Sequence, residues 1–327
     1  KRQGMRQVEP NKLITVFGGS GFIGRYVVQL LAQKGYRVRV AVRRPNLALY
    51  LKPLGDVGQI QLFQANIRDA VSCRAALEGA DGVVNLVGIL QEGGAQRFAS
   101  VQACVPFRSA KLSCEAGITR FAHVSAIGAD EESASEYART KALGEEAVLK
   151  AVPTATILRP SIVFGPEDDF FNRFAAMARL SPALPLIGGG QTRFQPVYVK
   201  DVAAAILAAL ENDGARGKIY ELGGPEVFSF KELMERMLEE IRRKRVLVSL
   251  PFAIAKLMGR IAGILPNAPL TADQVELLKT DNVVSDEARE EERTLAALGV
   301  PATGLDSVLS TYLYRFRRTG QFERREA

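Results

Sequence analysis

The chain has 327 residues, 47% hydrophobic and 24% charged, enough for one large core and a smaller lobe. No apolar run reaches the roughly 18 residues that cross a bilayer, and the polar stretch 1–10 does not read as a secretory signal. The net charge of +7 would suit nucleic acid, anionic lipid or an acidic partner. The absence of Trp, of a basic–aromatic repeat and of a recognition-helix motif speaks against nucleic acid.

In chain order, Met5 reads as the natural start and residues 1–4 as a remnant of processing. The apolar run Leu13–Phe17 predicts a buried parallel strand. Gly18, Gly21 and Gly24 follow in G-x-x-G-x-x-G spacing, and apolar residues at helical spacing continue to Leu31, with Gly35 as the stop. A glycine turn between strand and helix lets a pyrophosphate approach the backbone, and the helix N-terminus favours its charge. Gly18, Gly19, Ser20, Gly21, Phe22, Ile23 and Gly24 are therefore the first candidate cofactor residues. The next strand, Arg37–Val42, runs into Arg43 and Arg44. An acidic residue would hold a ribose 2′-hydroxyl there, whereas guanidinium groups suit a 2′-phosphate. NADPH is expected over NAD(H), the bland reading being that both arginines are solvated charges.

Strand and helix patterns then alternate. Strands are expected at Ile60–Gln64, 82–87, 120–125 and 155–158, and helices at 71–77, 98–116 and Glu136–Ala151. This predicts an α/β fold, a doubly wound parallel Rossmann-type sheet with its ligand crevice at the carboxyl ends of the strands. After Gly165 the rhythm changes to a helix at 166–180, a Pro/Gly-rich stretch at 182–190 and a short strand at 195–199. Asp201 is expected to cap a helix over 202–210, and Ser229 with Glu232 has capping-box spacing. Cys73, Cys104 and Cys114 are expected to be free buried thiols of a reducing compartment. No metal site is expected, because the only histidine, His123, lies inside an apolar strand as a satisfied core or sheet residue.

Tyr137 and Lys141 form Y-x-x-x-K at the start of a helix, which puts phenol and ammonium on one face. The cation is expected to lower the tyrosine pKa for proton exchange with a carbonyl or alcohol, and to reach the nicotinamide ribose. At the end of the preceding strand Ser125 is followed by Ala126 and Ile127.

Gly18–Gly24, the segment 85–88, Tyr137/Lys141, and the segments 158–166 and 194–202 together resemble the extended short-chain dehydrogenase/reductase superfamily. Residues 84–90, 165–174, 195–202 and 265–285 resemble, more narrowly, the nucleotide-binding accessory subunits of respiratory complex I. This resemblance spans about Leu13 to Leu313. It implies a catalytic hydroxyl beside Tyr137 and Lys141, usually among the later residues at the end of the preceding strand, where this chain offers only Ser125. It also implies further cofactor contacts from Asn66, Ile67, Leu86, Val87, Gly88, Ser125, Pro160, Ser161, Ile162 and Val163. It implies a tightly held NADPH outside the electron path, and partner subunits of complex I at the junction of its peripheral and membrane arms. The expected location is the matrix side of the mitochondrial inner membrane, or in a bacterium the cytoplasm or cytoplasmic membrane face. The expected division is a polar tail over 1–12, a nucleotide-binding domain over 13–165 with 194–224 returning to it, and a mostly helical smaller lobe of 166–193 and 225–327. The alternative is a free-standing NAD(P)H-dependent reductase or epimerase for a small carbonyl compound or nucleotide-sugar, with Asn172 and Arg173 as phosphate readers.

The segment 250–266 places Ile254, Leu257, Met258, Ile261 and Leu265 on one helical face. It would either rest on a partner or an anionic membrane surface, helped by Arg242, Arg243, Lys244 and Arg245, or cover the core of the small lobe.

Overall fold

The computed structural model of the protein describes residues 12–92, 97–262, 270–318 and 320. Met5 and Leu265 lie outside the described residues. In chain order the elements are β1 (Leu13–Phe17), α1 (Phe22–Gln33), β2 (Arg37–Val42), β3 (Ile60–Gln64), α2 (Ala70–Leu77), β4 (Gly82–Asn85), α3 (Cys104–Glu115), β5 (Phe121–Val124), α4 (Glu136–Ala151) and β6 (Thr156–Pro160). They continue with β7 (Val163–Phe164), α5 (Phe170–Leu180), β8 (Ala183–Ile187), β9 (Arg193–Phe194), β10 (Val197–Tyr198), α6 (Val199–Glu211), β11 (Ile219–Leu222), β12 (Phe228–Ser229), α7 (Phe230–Glu240), β13 (Val246–Leu250), α8 (Phe252–Ala262), α9 (Ala272–Leu277), α10 (Asp286–Glu290) and α11 (Asp306–Leu313).

Seven parallel strands form the main sheet in the order β11-β6-β5-β4-β1-β2-β3. Every residue of β1, β4 and β5 is buried, as apolar strands covered on both faces must be. On one face, Val27, Val28 and Leu31 of α1 and Val202, Ile206 and Leu210 of α6 join the side chains of β2. On the other, Cys73 and Leu77 of α2, Leu112 of α3 and Val148 of α4 pack over Phe17 and Ile157. The order reverses between β1 and β4, the switch point at whose carboxyl ends an open α/β sheet places its ligand crevice.

The second apolar unit gathers Phe164, Phe171, Phe194, Phe228, Phe230, Met234 and Tyr312. The rings of Phe170, Phe174 and Phe230 meet edge to face. Ser229 and Glu232 form the expected capping box on α7.

Several local expectations need correction. The stretch 98–116 is not one α-helix: a π turn over Ala99–Ala103 precedes α3. Pro106 cannot donate to the Gln102 carbonyl, and that carbonyl is pressed against α4, where a Cβ on Gly144 would lie 2.1 Å from it. The segment 182–190 contains a strand, β8, paired in parallel with the distant β13. The helix expected over 166–180 begins only at Phe170, because Asp168 accepts bonds from Gly165 N and Asn172 N and holds a turn before it. Asp201 does not cap α6: it sits in the first turn, and its carboxylate accepts bonds from Thr303 N and Oγ1 at 2.7 and 2.9 Å. The three cysteines are free, but only Cys73 is buried; Cys104 and Cys114 are exposed.

Arg243 and Arg245, and Arg315 and Arg317 nearer the C-terminus, are bonded within the protein. Arg245 Nε donates to the Ala178 carbonyl and Arg243 Nε to that of Phe316. In the C-terminal cluster, Arg317 Nε donates to the Glu240 carbonyl at 2.8 Å, and Arg315 to that of Pro166 at 2.8 Å. The α8 face is not core: Ile254, Leu257, Met258 and Ile261 are 50%, 59%, 52% and 64% exposed, while Ala255 and Gly259 face inward.

Candidate functional site

The crevice between β1 and β4 is floored by the glycine turn. Gly18 has φ +80°, and a Cβ there would crowd the backbone of Leu86 at 3.1 Å. Gly24, in the first turn of α1, lies against Gly18, whose carbonyl would be 2.4 Å from an added Cβ. Side chains at either position would push the helix N-terminus away from the strand ends. The α1 N-cap, Gly21, supplies no side-chain bond to the first N–H groups, which leaves them for an anion. Phe22 and Ile23 are half-buried on this turn, and the Ser20 carbonyl is held by the Tyr50 hydroxyl at 2.6 Å.

Arg43 and Arg44 follow β2 and are exposed, and neither side chain has a hydrogen bond or ion pair among the described residues. Both guanidinium groups are thus free to meet a phosphate, and they equally fit the solvated charges of the bland reading. Asn66 and Ile67 follow β3. Asn66 is partly consumed by its own turn, its Oδ1 accepting from Arg68 N at 3.1 Å, and Ile67 packs on the core. Leu86, Val87 and Gly88 leave β4, with Val87 N bonded to Asn85 Oδ1 at 3.1 Å. Pro160, Ser161, Ile162 and Val163 lie at the end of β6 and in β7. Ser161 Oγ donates toward Asn282, whose carbonyl and Oδ1 lie 2.8 and 2.7 Å away, so this hydroxyl holds the C-terminal segment.

Ser125 follows β5, and its Oγ is buried without a hydrogen-bond partner among the described residues. Beside it, the buried Lys141 Nζ donates to the Val124 carbonyl at 3.3 Å, and would lie 3.3 Å from a Cβ on Gly88. One turn earlier on α4, Tyr137 stacks edge to face on Phe98 at 5.9 Å. Lys141 Nζ is 6.0 Å from the Tyr137 ring centre. Here the sequence expectation fails. The Tyr137 phenol is pushed up to about 12, first by burial and then by the Asp273 carboxylate. The ammonium expected to lower it is itself buried, which brings Lys141 down to about 8 against the opposing pull of Glu145. A buried cation at that distance does not overcome the loss of water around the phenol.

Ile127 stands where the catalytic hydroxyl was sought. It is buried with Val284 and Ala288, its N–H bonds the Pro160 carbonyl at 3.0 Å, and its carbonyl accepts from Asn282 Nδ2 at 3.1 Å. Asn172, the other candidate reader, donates to the Pro166 and Asp168 carbonyls and accepts from Arg315. His123 is buried against the Asn85 backbone, with no well-formed bond to either ring nitrogen among the described residues, so it is not the satisfied histidine expected. Burial, then the Lys141 charge, holds its pKa down to about 3.

Three groups escaped the sequence reading. Glu145, buried on α4, is gripped by Arg159 of β6 through Nε at 3.0 Å and Nη2 at 2.6 Å, with Glu221 of β11 at 3.8 Å from Arg159. Gln102 accepts from Thr140 Oγ1 at 2.9 Å and ties the π turn to α4. Asp273, on α9, bonds the N-terminus of α4. The first lies four residues past Lys141 and was open to a helical-spacing argument; nothing local signals the other two.

A family model described as the NAD dependent epimerase/dehydratase family matches residues 14–223. The chain is 43% identical over 300 residues to NADH dehydrogenase (ubiquinone) 1 alpha subcomplex subunit 9, mitochondrial, of Arabidopsis thaliana, covering 88% of this chain and 75% of that one. Its identity to the Mus musculus protein of the same name is 35% over 318 residues, covering 96% and 83%. Among solved structures, the NADPH-dependent quinone oxidoreductase QOR2 of Escherichia coli, complexed with NADPH, superposes with a TM-score of 0.70 at 21% identity, covering 91% of this chain and 99% of that one. That likeness speaks to the fold.

Proposed function

The chain belongs to the NAD-dependent epimerase/dehydratase family and, within it, to the complex I subunits of the alpha-subcomplex-9 kind, and on that footing we propose that it is an accessory subunit of respiratory complex I that holds NADPH as a structural group. The observation that carries this reading is the extent of the kinship. The match to the mouse subunit covers 96% of the chain and so includes the second unit as well as the nucleotide fold.

The site supports a cofactor that is held rather than turned over. The glycine turn and the bare α1 N-terminus suit a pyrophosphate, Arg43 and Arg44 suit a 2′-phosphate, and Lys141 suits the nicotinamide ribose. NADPH when bound would supply a hydride. Ile127, packed with Val284 and Ala288, offers no hydroxyl to orient a substrate oxygen there. Loss of such a donor costs roughly two orders of magnitude or more in rate.

Docking is proposed through α8. Ile254, Leu257, Met258 and Ile261 give α8 an outward apolar face, and Arg260 of the same helix is exposed. No helix among the described residues is long and apolar enough to cross a membrane. A surface of this kind suits a partner subunit or anionic lipid near the quinone entrance. The relatives' names support a mitochondrial location; the side proposed is the matrix face of the inner membrane, or the cytoplasmic face if the chain is bacterial.

A free-standing reductase is the second reading, favoured by the intact Tyr137/Lys141 pair and the unpartnered Ser125 hydroxyl. Native electrophoresis of gently solubilised membranes, with the nucleotide released by acid and identified, separates the two. Migration with complex I and release of NADP(H) supports the subunit reading. Migration alone, with a substrate whose turnover Tyr137→Phe abolishes, overturns it.

A further inference from the structure

The geometry points to Asp273 as a positioning residue of the nucleotide site, one that fixes the first turn of α4 and thereby sets Tyr137 and Lys141 against the nicotinamide half of the cofactor. The inference rests on the NADPH reading above and adds to it a control from the C-terminal part of the chain.

Asp273 is more than 130 residues away from α4 in sequence, yet its carboxylate meets three donors there. Oδ1 accepts from Glu136 N at 2.8 Å. Oδ2 accepts from Ser135 Oγ at 2.8 Å and, longer, from Tyr137 N at 3.3 Å. Ser135 Oγ in turn accepts from Ala138 N at 3.3 Å, so one carboxylate and one hydroxyl serve all three leading N–H groups of the helix.

Helix stability alone does not call for this. Ser135 is already an N-cap residue, and Glu136 already places a carboxylate in the first turn. The additional anion does something those two cannot: it comes from another element and fixes where the turn sits. Tyr137 is one of the residues it bonds, and Lys141 is one turn further along the same rigid helix.

The element that carries Asp273 is itself anchored. Thr271 and Gln274 form a capping box on α9. Val275 packs with Ile187 and Ala255, and Lys256 of α8 pairs with Glu276 at 2.9 Å. Gly259 lets α8 approach so closely that a Cβ would lie 2.7 Å from Ala272 N. The chain of contact thus runs from the outward apolar face of α8, through α9 and Asp273, to the residues proposed to hold the nicotinamide ribose.

The test measures two ligands on the full chain by calorimetry: NADPH, and adenosine 2′,5′-bisphosphate, which lacks the nicotinamide half. Asp273→Ala should weaken NADPH about fivefold to tenfold, the factor that one helix cap's worth of free energy makes in a binding constant. The adenosine compound should change less than about twofold, a difference too small to register as a lost contact. Asp273→Asn, which keeps the shape and lowers the charge, guards against a misfolded alanine variant and should fall between. The fluorescence of bound NADPH should also shift in both variants, because the nicotinamide surroundings move. Equal losses for both ligands, or no loss for either in a folded variant, overturn the positioning role. A wild-type protein that binds neither ligand overturns the nucleotide reading, and the proposal with it.

Discussion

Arg43→Ala should weaken NADPH binding about tenfold while leaving NADH binding unchanged. The magnitude follows from where the residue stands. Arg43 and Arg44 lie just past β2, exposed, with no side-chain partner among the described residues, so a phosphate has no internal bond to displace. A charge-assisted hydrogen bond contributes about 1.5–3 kcal/mol. Solvent around both guanidinium groups puts these at the low end of that range, near the 1.4 kcal/mol that corresponds to a factor of about ten. The double alanine variant should lose less than the product of the two single losses, because neighbouring guanidiniums share one phosphate. NADH lacks that phosphate and should bind both variants as it binds the wild type. The assay is calorimetry on nucleotide-free protein at low and moderate salt, and the NADPH advantage should shrink as salt screens the pair. Equal affinity of the wild type for NADH and NADPH, or an Arg43→Ala variant that keeps its NADPH affinity, refutes the assignment of these arginines.

Tyr137→Phe should leave NADPH bound and alter little measurable oxidoreductase activity, whereas Lys141→Ala should release the nucleotide more readily; retained nucleotide after gel filtration reports both. Leu257→Asp and Ile261→Asp should free the protein from membranes with NADPH binding unchanged, and folded variants that stay membrane-bound, or that lose the nucleotide, refute docking through this face. His123→Leu should flatten the acid limb of the stability curve. The folded imidazole is held down to about 3 from its ordinary 6.5, so between those values the unfolded chain binds the additional proton. Stability then falls as pH falls through that window, by about 1.4 kcal/mol per unit from this group. Urea titrations at pH 6.5 and 5 compare the two slopes, and identical slopes would remove His123 from the account.

What the sequence disclosed depended on the range of the forces involved. The β1–glycine–α1 passage was legible because a buried apolar run, a turn and a 3.6-residue period lie within twenty residues, and each is local. Strands β2 and β3 were legible for the same reason. Strand β8 was not: Pro182 and Pro185 disguise it as a loop, and its partner β13 comes about sixty residues later. The break at Ala99–Ala103 was encoded by Pro106, but it became necessary only where Gly144 let α4 press on the Gln102 carbonyl. The site followed the same division. The spacing of Tyr137 and Lys141 was read directly. The direction of the tyrosine shift was not, because it depends on burial and on a carboxylate from α9, and neither has a signature within reach of the motif.

Strand β11 closes the main sheet against β6, yet it is reached only after the chain has built α5 and β8 elsewhere and returned along the sheet through α6. A fragment cut after β6 would therefore leave that strand's hydrogen-bonding edge bare, a template for pairing with other chains. It would also strip Arg159 of Glu221. Anyone isolating the nucleotide-binding portion should expect an aggregating fragment unless the segment through Leu222 travels with it.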